Sequence, residues 1–191
     1  MKTTIKQPLL ALCVALTCAW AGQASAMTKE EHKAANDRIG ADYKVQKARC
    51  DGMKANAKDI CISEAKGTEK VAKAELEAQF KPTDKSPSKV MEAKADAAYD
   101  TAKEKCDDLA GNQKDVCVKD AKAAHVAALG QAKVQKTSAT SGNPAKVAEA
   151  RKDAAEDRKD ANYSAAKERC DAMSGANKDR CIADAKAKFG V

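Results

Sequence analysis

The chain has 191 residues, about forty of them alanine, with 33% charged and only 3% aromatic residues. Alanine, lysine, glutamate and aspartate in that excess favour long helices and exclude a sheet-based fold. The formal charge of +7 is spread along the chain, a mild bias that excludes a nucleic-acid-binding reading, which would need the cations gathered into a patch.

Residues 1–26 read as a signal peptide. Lys2 and Lys6 precede an apolar run over 8–21, and Ala24-Ser25-Ala26 is a small-x-small cleavage site. Cleavage between Ala26 and Met27 is expected. The run is too short, and too closely followed by the cleavage site, to serve as a membrane anchor. Leu12 and Thr17, before Cys13 and Cys18, do not suit lipoprotein processing. The secreted chain is then expected in the periplasm of a Gram-negative bacterium, with no transmembrane anchor. Loss of Lys2 and Lys6 leaves 33 basic and 28 acidic residues.

Thr28-Lys29-Glu30-Glu31 is a capping box that starts the first helix near residue 29. This helix is expected to run to Met53 and the second from Asp59 to Phe80. Between them lies CDGMKANAKDIC, Cys50 to Cys61, a stretch that returns as CDDLAGNQKDVC, Cys106 to Cys117, and as CDAMSGANKDRC, Cys170 to Cys181. An uninterrupted helix would hold cysteines eleven residues apart at about 16 Å. A disulfide needs Cα atoms within about 7 Å. Gly52, Gly111 and Gly175 favour a break, and Asn56 and Asn112, followed by Asp59 and Asp115, read as caps for the next helix. Threefold local repetition favours the pairs Cys50–Cys61, Cys106–Cys117 and Cys170–Cys181 over cross-repeat linkages.

The flanks repeat with the staples. Tyr43, Tyr99 and Tyr163 lie seven residues before each first cysteine, and Met53, Leu109 and Met173 three after it. With Gln46, Ala102 and Ala166 these positions form one helical stripe. Beyond the second cysteines, Ile62, Val118 and Ile182 with Ala65, Ala121 and Ala185 supply the facing stripe. The second helix adds Val71, Ala72, Leu76 and Phe80, with a Glu69, Lys73, Glu77 ladder outside. KPTDKSPS at 81–88 breaks it, and Ser86-Pro87 opens a third helix that runs to Leu109. A fourth runs from Lys114 to about Lys136, and 137–143 is a polar linker. Asn143-Pro144 opens a fifth helix reaching Met173, and a short sixth ends at Phe189-Gly190.

The fold expected is all-α: three repeated antiparallel hairpins over 27–80, 87–136 and 144–191, each stapled at its turn by a local disulfide, elongated or loosely bundled. Alanine buries little apolar area per residue. Each staple closes a short loop and adds about 3 kcal/mol.

No catalytic, cofactor-binding or metal-binding residue is assigned. The cysteine spacing is too long for a zinc knuckle and is not that of a redox C-x-x-C. His32 and His125 each stand without a companion ligand and read as solvated. The aspartates flanking the cysteines, Asp51, Asp107, Asp171, Asp59, Asp115 and Asp179, have no EF-hand order; they read as capping and turn residues.

The stretches ADYKVQKARCD, AAYDTAKEKCD and ANYSAAKERCD give the chain its family likeness. It resembles a group of small Ala/Lys-rich helical periplasmic proteins of beta-proteobacteria, often named TolA-like cell-envelope proteins. The resemblance implies a periplasmic location and an association with the cell envelope. It carries over no functional residue, and this chain is expected to lack the retained anchor and C-terminal globular domain of TolA itself. The reading is a non-enzymatic structural or interaction protein of the envelope, whose partner is an envelope polymer or a periplasmic protein. Its alternatives are a module binding anionic peptidoglycan or lipopolysaccharide through lysine-rich helix faces, a thiol/disulfide redox protein and a stress chaperone.

Overall fold

The computed structural model describes residues 26–191; the signal peptide expected over 1–26 lies outside the described residues but for Ala26. Six helices follow one another: α1 Lys29–Arg49, α2 Ala55–Phe80, α3 Ser86–Cys106, α4 Gly111–Ser141, α5 Pro144–Cys170 and α6 Gly175–Phe189, with a single 3-10 turn at Cys50–Gly52 between the first two. The described residues contain no strand. Thr28 forms the expected capping box with Glu31, and Asn143 caps α5 through the Ala145 amide.

Several boundaries differ from the sequence reading. The helices before the staples end at or next to the first cysteine rather than at Met53, Leu109 and Met173. The second and fourth helices begin at Ala55 and Gly111, earlier than the expected Asp59 and Lys114, and the sixth begins at Gly175. α4 also continues through the polar stretch at 137–143 as far as Ser141. Thr137 and Thr140 turn their hydroxyls onto the carbonyls four residues back, at 2.9 and 2.8 Å, which lets polar residues stay in a helix. The turn to α5 is left to Gly142, at φ 57°, and Asn143.

Consecutive helices run antiparallel, and among the described residues each packs only on the helix before it and the helix after it. The result is a layer one helix thick. The turns alternate between its two ends, so the three cysteine turns lie along one end and 81–85 and 142–143 along the other. Small residues line the helix contacts: Ala65, Ala93, Ala95, Ala123, Ala132, Ala150, Ala165 and Ala185 are buried, and Leu76 is the one large aliphatic among the buried described residues.

Candidate interaction surface

The staples are local. Cys50 pairs with Cys61, Cys106 with Cys117 and Cys170 with Cys181, with Cα atoms 5.7, 5.6 and 5.7 Å apart. The first cysteine of each pair is fully buried. After it the chain makes one tight turn, in which the amides of Met53, Leu109 and Met173 donate to the carbonyls of Cys50, Cys106 and Cys170. Each following helix then starts from a left-handed residue: Ala55 at φ 49°, Gly111 at 57° and Gly175 at 55°. The repeated turn is completed by an ion pair, Asp51–Lys58 at 3.1 Å, Asp107–Lys114 at 3.0 Å and Asp171–Lys178 at 2.8 Å.

That geometry corrects two expectations. Met53, Leu109 and Met173 do not extend the helical stripe. They sit in the turns, 44%, 39% and 46% exposed, and form a row of three apolar tips along the stapled end. The asparagines do not cap their own helices either: the residues at the N-caps of α2 and α4 are Lys54 and Ala110, and neither gives a side-chain cap. Asn56 instead donates to the Glu104 carbonyl at 2.7 Å and Asn112 to the Glu168 carbonyl at 2.8 Å. Each reaches from one stapled hairpin to the last turn of the helix that opens the next staple.

The joints between hairpins share further contacts. Lys105 meets Glu64 at 3.2 Å and Arg169 meets Asp120 at 2.5 Å, one residue before the next staple in both cases. Farther from the staples, Gly67 faces Ala97 and Gly130 faces Ala154 so closely that an added Cβ would lie 3.0 and 2.9 Å from the alanine methyls. Three residues on, Lys70 meets Asp96 at 2.7 Å and Lys133 meets Asp153 at 2.9 Å. Sequence inspection around the cysteines missed this code. Its signal is the pair Gly-x-x-Lys at 67–70 and 130–133, answered by Asp-Ala at 96–97 and 153–154.

The two histidines are packed, contrary to the solvated reading. His125 stacks on Tyr99, with centroids 4.6 Å apart, and its Nε2 lies 2.8 Å from Asp96 Oδ1. The Lys70 ammonium, and after it the His125 ring, holds the Asp96 carboxyl below the usual carboxylate range, against partial burial that pushes it up. His32 stacks on Phe80 at 4.2 Å. Its Nε2 lies 2.8 Å from Glu77 Oε1. Tyr163 meets Phe189 edge-on at the position in the third hairpin that Tyr99 and His125 occupy in the second.

The lysine faces carry acids among their cations. A cleft of about 290 Å³ between α2 and α3 sets Lys66, Lys70 and Lys103 against Asp59, Asp100 and Glu104. Two open troughs flank α4. One is lined by Arg151 and Arg158 with no carboxylate, and the other by Glu92, Asp157 and Asp160 with Lys133 as its only cation. Among the described residues no helix is long and apolar enough to cross a membrane. The three disulfides are at home in an oxidising, extracytoplasmic compartment.

Compared with known protein families, curated proteins and solved structures, the chain matches none.

Proposed function

We propose that this protein is a secreted, non-enzymatic scaffold of the periplasm, built from repeated stapled hairpins and associated with the cell envelope. The observation that carries the reading is the recurrence of one joint. The same asparagine-to-carbonyl bond, the same ion pair beside the staple and the same Gly–Ala contact link hairpin one to two and hairpin two to three. Repetition of a joint makes a stiff layer that holds surface groups at fixed spacing, and layers of this kind serve by presenting a surface rather than by enclosing a substrate. The likeness to TolA-like envelope proteins and the leader at 1–26 support the compartment.

Co-sedimentation with isolated sacculi and outer-membrane vesicles, over a salt series, tests the envelope association. Specific pelleting supports the reading. A protein that stays in the supernatant at every salt concentration overturns it.

A further inference from the structure

Protein domains ordinarily bury their apolar surfaces between two packed layers of secondary structure. The described residues of this chain supply one. Among the described residues no side chain larger than cysteine or serine is fully buried, and the half-buried aliphatics of the central helix α4 face outward on both sides of the layer.

The two sides differ in charge. On one, a trough of about 420 Å³ is floored by Met91, Ala127 and Val134 and carries Arg151 and Arg158. The ion pairs of α5 are made by Lys152, Asp153 and Arg169 instead, so neither of these arginines is neutralised. Arginine is the minority cation here, six of the 35 basic residues. Its planar, weakly hydrated guanidinium suits pairing with carboxylates at an interface better than lysine does. On the other side, a trough of about 550 Å³ is floored by Val126 and Leu129 and carries Glu92, Asp157 and Asp160. Its one cation, Lys133, is already held by Asp153 at 2.9 Å. Arg151 and Arg158 point roughly 140° away from Asp157 and Asp160 around α5, at 100° per residue. The troughs therefore open on opposite faces.

We infer that the layer stacks on a second copy of itself, the arginine trough of one copy seated on the acidic trough of the next. Each trough offers an apolar floor and the charge that the other lacks. Because the two lie on opposite faces, the contact is heterologous, and every added copy leaves one face of each sign free. This goes beyond the envelope reading and stands without it.

Sedimentation velocity of the secreted, disulfide-bonded protein tests the inference. The wild type should associate as concentration rises at low salt and dissociate as salt screens the charges. The double variants Arg151→Glu/Arg158→Glu and Asp157→Lys/Asp160→Lys should each weaken self-association by about a hundredfold, since like charges then face each other. An equimolar mixture of the two should associate again, because each contact regains opposite signs. Circular dichroism checks that helicity is kept. If a reversed variant loses it, Arg151→Gln/Arg158→Gln and Asp157→Asn/Asp160→Asn take its place, and both should weaken association. A wild type that is monomeric at all concentrations, association untouched by these changes, or a mixture of folded reversed variants that stays monomeric would overturn the inference.

Discussion

Asn56 donates its side-chain amide to the backbone carbonyl of Glu104, 48 residues away, at 2.7 Å. The carbonyl lies in the last turn of α3, where it also accepts the Asp107 amide at 3.0 Å, so the asparagine adds a second bond to this helix end from a neighbouring hairpin. Asn112 does the same for Glu168. The third repeat has Ala176 at this position, in α6.

Replacing Asn56 or Asn112 by alanine should therefore cost about 1 kcal/mol each, the net worth of one part-buried hydrogen bond whose acceptor keeps its backbone donor. Asn177→Ala, at the exposed asparagine of the third turn, should change stability by less than about 0.5 kcal/mol. Urea unfolding of the three variants measures the contrast.

Ala55 begins α2 at φ 49°, where the other two repeats have glycine. A left-handed conformation costs an L-residue about 1–2 kcal/mol, part of which glycine gives back through its larger entropy loss on folding. Ala55→Gly should stabilise by up to about 1 kcal/mol, and Gly111→Ala or Gly175→Ala should destabilise by a similar amount. Thermal unfolding with the disulfides intact reads both signs.

The same substitution elsewhere should change sign with its surroundings. At Gly40 a Cβ meets nothing within 4 Å, whereas at Gly130 it would lie 2.9 Å from the Ala154 methyl and 3.4 Å from its Cα. Gly40→Ala should gain up to about 1 kcal/mol of helix propensity. Gly130→Ala should lose stability, by about 1–3 kcal/mol, because α4 and α5 must move apart. Chemical denaturation of the two variants tests the helix contact directly.

Asp96 joins α2, α3 and α4 through Lys70 and His125. Its carboxyl is held below the ordinary range in the folded protein, so its contribution is present above the unfolded value of about 3.9 and is lost as pH falls through the folded value. Stability should drop as pH goes from about 4 downward, and Asp96→Asn should make that part of the fall shallower. Unfolding free energies measured from pH 5 to pH 2 show it.

Much of this architecture is legible in the order of residues. The staples announce themselves because a disulfide eleven residues apart forces the chain to turn, and capping at Thr28 and Asn143 uses neighbours three or fewer residues away. What was not legible depends on residues far apart in sequence. Asn56 looks like a cap for its own helix, and only the docked α3 reveals the carbonyl it serves. His125 looks solvated until Tyr99 and Asp96 are brought against it. Met53, Leu109 and Met173 fit a helical stripe by spacing, but the chain leaves the helix at the preceding cysteine, and the spacing no longer applies.

The central claim is that the hairpins lie side by side in one open layer with all three staples along one end. Distances between spin labels carried by non-natural residues at positions 53, 109 and 173, the exposed tips of the turns, test it most directly. Helices pack about 8–10 Å apart, so neighbouring tips, two helices apart, should be separated by roughly 20 Å. The open layer predicts that the 53–173 separation is well above both the 53–109 and the 109–173 separations. Three equal separations would mean that the hairpins close into a bundle and would contradict the account.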